Sequence, residues 1–191
     1  METKNILIVG VGGQGTLLAS KLMGKCFMEM GFDVKVSEVH GMSQRGGSVV
    51  TYVRYGDKVY SPVIEKGEAD IIISFEQLES ARWLPYLKKG GVIISSTQHI
   101  DPMPVIMGKA EYPEEIINKI AEKDVKIISL DALSLALEAG TSKCANIVLL
   151  GAAVPYLGIE KETWIETIKS TVPPKTVETN LKAFELGYNA Q

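Results

Sequence analysis

The sequence has few of the side chains that build metal centres: two cysteines, Cys26 and Cys144, and two histidines, His40 and His99. A cysteine-ligated iron–sulfur cluster usually takes four thiolates, and a structural zinc ion takes four ligands. The two cysteines lie far apart, without a CxxC pair. We therefore expect no metal bound by this chain alone, no covalently bound cofactor, and two inert core thiols.

The sequence also lacks a signal-peptide pattern, and with only two cysteines it is typical of a reducing compartment, so we predict a cytoplasmic protein. Twenty basic and 23 acidic residues give a net charge of −3, which disfavours nucleic-acid binding and membrane-surface binding. No apolar run reaches the roughly 20 residues of a membrane span.

Apolar residues are, by contrast, slightly abundant for a soluble domain, at 46% with a mean hydropathy of +0.11. A subunit that buries a large interface would show such a surplus. We expect exposed apolar side chains near residues 40–47 and in the Pro-rich segment 100–113, which makes self-association of the isolated chain possible.

Hydrophobic periodicity alternates between strand and helix along the chain. The predicted strands are 5–10, 32–39, 48–55, 70–75, 91–96 and 125–130. The predicted helices are 14–30, 77–87 and 114–122, followed by three or four helical segments from residue 131 onward. We also predict a β-hairpin in which Val59–Ile64 returns along the third strand, at an edge because of Pro62.

These elements predict one domain over residues 1–191 with a helical part at about 131–191. Its class is α/β and Rossmann-like: a mostly parallel sheet with helices on both faces, a β-hairpin after the second strand and a helical C-terminal third.

A glycine-rich segment leaves the first predicted strand and opens the first predicted helix. It matches the pattern G-x-G-x-x-G, in which glycines allow a sharp turn and free backbone N–H groups can hold a phosphate. A tight turn without a ligand is the alternative. The candidate cofactor-binding residues here are Gly10, Gly12, Gly13, Gln14, Gly15 and Thr16.

A second polar, glycine-rich loop follows the second predicted strand. Glu38 ends that strand, where a dinucleotide-binding domain places an acid on the ribose. The loop that follows is unusual for such a domain. Arg45 could reach a phosphate or carboxylate with its planar fork, and the loop also suits a partner interface. We therefore add Ser43, Gln44, Arg45, Gly46 and Gly47 to the candidate binding residues.

Three segments together, GVGGQG, SEVHGMSQRGGSV and YSPVIEKGEADI, resemble the gamma-type domain of 2-oxoacid:ferredoxin oxidoreductases. GVGGQG is shared with many nucleotide-binding folds, whereas HGMSQRGGSV is specific and is most similar to the indolepyruvate type. The resemblance continues through FEQLESARWLPYLKKGG, SLDALSLALEAG and NIVLLGA, so it spans nearly the whole chain.

The resemblance implies a subunit of an enzyme that oxidatively decarboxylates an aryl pyruvate to an acyl-CoA and reduces ferredoxin. It places thiamine diphosphate, magnesium and iron–sulfur clusters on a large alpha partner, through which ferredoxin is reached. It assigns no catalytic residue to this chain, which is not expected to act alone. Coenzyme A is the anionic ligand it implies for the glycine-rich turn.

Two other functions stay open from the residues alone. One is a free-standing NAD(P)-dependent dehydrogenase that uses the same turn with Glu38 on the ribose. The other is a purely structural interaction subunit.

Overall fold

The computed structural model describes residues 2–39 and 47–190. The strands are β1 Lys4–Val11, β2 Asp33–Glu38, β3 Ser48–Gly56, β4 Ala69–Ser74, β5 Leu87–Ser96 and β6 Lys126–Leu130. The helices are α1 Thr16–Glu29, α2 Gln77–Trp83, α3 Met103–Ile106, α4 Ile116–Ala121, α5 Ala132–Ala139, α6 Ala145–Leu157, α7 Lys161–Thr171 and α8 Val177–Asn189. Short 3-10 turns lie at Leu84–Tyr86, Ser142–Cys144 and Pro174–Thr176.

The strands form one mixed sheet in the order β2-β3-β1-β4-β5-β6. β1, β4, β5 and β6 run parallel, and β3 is antiparallel to both its neighbours. The mostly parallel α/β class and the helical C-terminal third are thereby confirmed. After β1 the chain forms β2 and β3 on one side of β1, and it then forms β4, β5 and β6 on the other side. The order therefore reverses between β1 and β4, where open α/β sheets bind ligands.

The predicted hairpin after β3 is wrong. β3 pairs with β2 on one side and β1 on the other, so neither of its edges is left for Val59–Ile64. That segment forms no strand, and side chains satisfy its backbone instead. Arg54 Nη1 donates to the carbonyls of Ser61 (3.0 Å) and Val63 (2.8 Å). The antiparallel partners of β3 are instead β2 and β1.

Alternate residues of β1 face two separate cores, as the period of two along a strand requires. Ile6 and Ile8 join a core built with α1 and α5–α8, which we call the α6 face. Leu7 and Val9 join a smaller core with α2 and α4, which we call the α2 face. Helices thus cover both faces of the sheet, as expected from the continuous apolar runs of its strands.

Helix α6 lies between the sheet and α8, so apolar side chains on all its sides are buried. Residues 146–154 are all buried. Glycines let the two helices approach closely: a Cβ at Gly187 would overlap the Val148 carbonyl, and one at Gly151 would overlap the Phe184 carbonyl. Among the described residues, no helix is both long and apolar enough to cross a bilayer.

The Pro-rich segment carries three exposed large apolar side chains. Met103, Ile106 and Met107 on and after α3 are 60%, 65% and 56% exposed. The exposure expected at this segment is confirmed. The other expected region, residues 40–46, lies outside the described residues.

Candidate functional site

The glycine-rich segment forms a tight turn at the carboxyl edge of the sheet, between β1 and α1. Gly13 and Gly15 have φ of +105° and +83°, values that residues with a Cβ rarely adopt. Gly10 has no room for a Cβ, which would lie 2.8 Å from Gln14 Oε1 and 2.9 Å from Phe75 Cβ. The pattern of glycines therefore follows from backbone conformation and from close packing beneath the turn.

Gln14 ties this turn to the ends of the neighbouring strands. Its Oε1 accepts from the Val11 amide (2.7 Å), and its Nε2 donates to the Phe75 carbonyl and to Gln98 Oε1, both at 2.9 Å. Val11, Phe75 and Gln98 lie at or just beyond the carboxyl ends of β1, β4 and β5. Gln14 is thus a structural brace of the turn, with its polar atoms already engaged by protein.

Asn146 holds the turn from the other side. Its Oδ1 accepts from the Ile147 amide at 2.9 Å. Its Nδ2, however, donates to the Gly15 carbonyl at 3.1 Å, across 131 residues of sequence. This side chain is 3% exposed, so the bond fixes the start of α1 against α6.

The N-terminus of α1 is open toward solvent. Its N-cap, Gly15, offers no side-chain cap, and the first turn carries no acidic residue. The amide groups at a helix start carry partial positive charge and favour an anion. This arrangement suits a phosphate or carboxylate group.

Two cavities flank the turn. The first, which we call the β3-side cavity, has a volume of about 340 Å3 and is lined by Gly12, Gly13, Gly15, Thr16, Glu38 and Thr51, among others. The second, the α6-side cavity, has a volume of about 490 Å3 and is lined by Gly13, Gln14, Gly15, Gln98, Ser142 and Lys143, among others. Among the residues that the structure describes, a cationic side chain, Lys143, lines the second cavity but not the first.

The sequence did not single out Gln98, Ser142 or Lys143. Gln98 follows the carboxyl end of β5, and such ends converge at one edge of a parallel sheet, so its position could have been inferred. Ser142 and Lys143 reach the cavity through the 3-10 turn before α6, for which the sequence offers no comparable signal.

The position of Glu38 agrees only partly with the dinucleotide-binding interpretation, which needs an acid close to the glycine turn. It lines the β3-side cavity together with the glycines. β3 stands between β1 and β2, however, so β2 lies two strand spacings from β1, roughly 10 Å. The carboxylate also accepts a hydrogen bond from Ser20 Oγ at 2.9 Å. The acid is therefore further from the turn than in a dinucleotide-binding sheet with adjacent β1 and β2.

The candidate loop residues Ser43, Gln44, Arg45 and Gly46 lie outside the described residues. Gly47 lies beside the turn, where its carbonyl accepts from the Gly12 amide at 2.9 Å. The structure thus brings the end of this loop to the glycine turn.

Two buried carboxylates on the α2 face organise the neighbouring segments, and the sequence did not reveal them. Glu76, the N-cap of α2, accepts from the amides of Glu79 (3.0 Å) and Ile100 (3.1 Å) and from the Tyr112 hydroxyl. Burial, and then the hydrogen bond to Glu76, raise the pKa of Tyr112 well above its usual value. Segment 100–112 is therefore fixed to the start of α2.

Glu79 does the same for the start of β3. Its carboxylate accepts from the Ser48 hydroxyl, from Arg82 Nε (3.0 Å) and from Trp83 Nε1 (3.3 Å). Ser48 directly follows Gly47, so α2 positions both the end of the 40–47 loop and the Pro-rich segment.

Neither cysteine lies in a metal-binding arrangement. Cys26 and Cys144 are free and buried, and burial raises the pKa of both thiols, that of Cys26 to about 11. No group of three His, Cys, Asp or Glu side chains in residues 2–39 and 47–190 is placed to hold a metal ion. His99 is half-exposed, stacked on Tyr112 and paired with Asp101 at 2.6 Å.

The fold and the turn define a doubly wound α/β domain whose switch point carries an open helix N-terminus. Residues 5–190 match the family described as pyruvate ferredoxin/flavodoxin oxidoreductase. The chain belongs to this family. The resemblance drawn from GVGGQG and HGMSQRGGSV is thereby confirmed.

Relatives with similar sequences cover the full length of the chain. It is 46% identical to an indolepyruvate oxidoreductase subunit IorB of Thermococcus kodakarensis and 47% identical to one of Pyrococcus horikoshii, covering 100% of this chain and 96% of each relative. Among solved structures, the gamma subunit of a keto/oxoacid ferredoxin oxidoreductase from Geobacter sulfurreducens superposes with a TM-score of 0.73 at 26% identity. That match covers 98% of this chain and 97% of the other.

Proposed function

We propose that this chain is the small subunit of a 2-oxoacid:ferredoxin oxidoreductase of the indolepyruvate type. The complex would oxidatively decarboxylate an aryl pyruvate to an acyl-CoA and reduce ferredoxin. The observation that carries the proposal is the 46–47% identity, over the whole chain, to two relatives named as subunits of indolepyruvate oxidoreductase.

In this proposal a larger partner subunit holds thiamine diphosphate, magnesium and the iron–sulfur clusters. The two thiols of this chain are buried, and the raised pKa of each keeps it protonated and poor as a ligand. The chain would then act by binding and orienting, and would be inactive alone.

The glycine turn is the proposed site for an anionic portion of coenzyme A. The open α1 N-terminus supplies backbone donors, Thr16 can add a hydroxyl, and Lys143 supplies a positive charge at the α6-side cavity. Gln14 and Asn146 would hold the turn in shape, since both are bonded to the backbone. Coenzyme A, when bound, supplies the thiol that accepts the acyl group.

Calorimetric titration with coenzyme A of the assembled complex and of the isolated chain tests this site. The informative variant is Gly13→Ala, because a Cβ there meets no atom within 4 Å but would lie beside the proposed ligand. Gly67→Ala is the matched control, with φ of +80° and equally open surroundings. We expect Gly13→Ala to weaken binding at least tenfold while Gly67→Ala leaves it unchanged.

Arg45→Ala tests the loop in the same titration, with a similar loss expected if the guanidinium contacts a phosphate. Absence of heat from both the complex and the isolated chain would refute the coenzyme A site while leaving the subunit assignment intact.

A free-standing NAD(P)-dependent dehydrogenase is the second candidate, favoured by the position of Glu38 on the β3-side cavity. The strand inserted between β1 and β2 argues against it. Tight NADH binding by the isolated chain, lost in Glu38→Gln, would support this alternative over the subunit proposal.

A further inference from the structure

A groove at the opposite end of the sheet from the glycine turn is lined by lysines. It lies at the amino ends of β5 and β6 and has a volume of about 790 Å3. Four lysines line it, with one acidic residue, Asp124. The lining of the groove is therefore positively charged, although the whole chain carries a net charge of −3. The lysines are Lys88, Lys89, Lys123 and Lys126.

An irregularity in β5 presents two of these lysines. Ala69 of β4 pairs with Leu87, and Ile71 pairs with Val92, so a single β4 residue lies opposite four β5 residues, 88–91. These residues leave the regular ladder. Gly90 there has φ of +80° and open space where a Cβ would lie, so another chain can approach its backbone. Bulges of this kind redirect side chains and the strand edge.

Neighbouring groups hold two of the lysines in place. Lys88 pairs with Asp70, which is 8% exposed and also pairs with Lys4 at 3.4 Å. The ammonium of Lys126 lies 4.7 Å from the centre of the Tyr156 ring. Lys89 and Lys123 are exposed at the rim. The half-buried Leu84, Leu87 and Val125 form an apolar floor.

We propose that this lysine groove binds a carboxylate-rich segment of a partner protein. Phosphate sites typically combine a helix N-terminus or a backbone nest with arginine or lysine side chains. The groove has no arginine in its described lining, and α4 ends beside it at Ala121, presenting carbonyl oxygens rather than amides. The lysine ammonium groups are separate, flexible point charges beside apolar side chains, an arrangement that suits an extended acidic segment. Opposite charge would also speed the association of such a segment with the groove.

The test is fluorescence anisotropy of a labelled hexaglutamate peptide titrated with the full chain at low ionic strength. The double variant Lys89→Ala/Lys123→Ala should weaken binding about five- to tenfold, since exposed ion pairs are each worth a modest amount. The control Lys21→Ala/Lys175→Ala removes the same charge from exposed positions elsewhere and should leave binding within twofold. Wild-type binding should also weaken steeply as salt is raised.

Three results would overturn the proposal. One is that the wild type and the groove variant bind the peptide equally well, or that the control variant loses as much peptide affinity as the groove variant. The second is displacement of the peptide by pyrophosphate at lower concentration than by unlabelled hexaglutamate, which would indicate a phosphate site. The third is low-salt self-association, measured by sedimentation, that disappears in the groove variant, because the occupant would then be a second copy. None of these results depends on the glycine turn or on enzymatic activity.

Discussion

The two faces of the sheet are stabilised in different ways. The α6 face is stabilised by close apolar packing. Helices α6 and α8 contact each other through glycines, and the core contains four fully buried aromatic side chains, Trp164, Tyr55, Phe27 and Phe184. The α2 face is smaller and is held by hydrogen bonds to buried carboxylates. The comparison indicates that one face supplies stability, whereas the other positions the segments beside the glycine turn.

The largest expected effect comes from filling the contact between α6 and α8. Gly187→Ala would drive a Cβ into the Val148 carbonyl, and backbone cannot move aside cheaply. We expect a loss of about 3 kcal/mol or more in the free energy of unfolding, measured by urea denaturation.

Gly24→Ala is the matched control in another helix of the same face. A Cβ there would make an ordinary contact with Val36 at 3.6 Å, so the gain in helix propensity should stabilise by up to about 1 kcal/mol. Similar losses in both variants would show that close helix packing is not what stabilises this face.

The sequence predicted helices on both faces of the sheet from the alternation of apolar strand runs with helical periodicity along the chain. It could not predict where β3 inserts. Pro62 and the β-branched residues near it suggest a strand edge, but Arg54 satisfies the carbonyls of that segment. Hydrogen bonds from one side chain to backbone carbonyls seven and nine residues away leave no periodic signal in the sequence.

In the candidate site, too, some residues could be predicted from the sequence and others could not. Gly13 and Gly15 could be located from the motif because their conformations require glycine. Asn146 and Glu76 could not, since each acts on backbone far away in the sequence, at Gly15 and Ile100. Buried polar side chains with distant partners become evident only from the fold.

A medium effect is expected when the hydrogen bonds of the α2 face are removed. Glu76→Ala leaves the partly buried amide of Ile100 and the Tyr112 hydroxyl without their acceptor and removes the α2 cap, which should cost about 2–3 kcal/mol. Hydrogen exchange followed by mass spectrometry should show lost protection concentrated in residues 100–112.

Tyr112→Phe sharpens this prediction, because it removes one bond and should cost only about 1 kcal/mol. Uniform loss of protection over the whole chain in Glu76→Ala would contradict the local positioning role of this face.

The smallest effect concerns the pH dependence of the α6 face. Burial raises the pKa of the Cys26 thiol from 9.0 to about 11. The folded state therefore keeps its proton where the unfolded state has lost it, so this stabilisation is complete below pH 9 and declines as pH rises to 11. The free energy of unfolding should fall by at most about 1.4 kcal/mol per pH unit from this thiol.

Cys26→Ala should reduce that decline between pH 9 and 10, as measured by urea denaturation at each pH. Cys144, whose pKa burial also raises, contributes to the decline that remains. At higher pH, Tyr55 and Tyr112 add to the decline, because burial is the main cause of the raised pKa of each hydroxyl. Identical slopes in the wild type and the variant would rule out the thiol as their source.

The most direct measurement compares ferredoxin reduction by the chain alone and by the chain purified together with a larger, cluster-bearing partner, using an aryl pyruvate and coenzyme A. Reduction by the complex, and none by either polypeptide separately, is the predicted result. Reduction of ferredoxin by this chain alone would contradict the assignment of the redox chemistry to its partner.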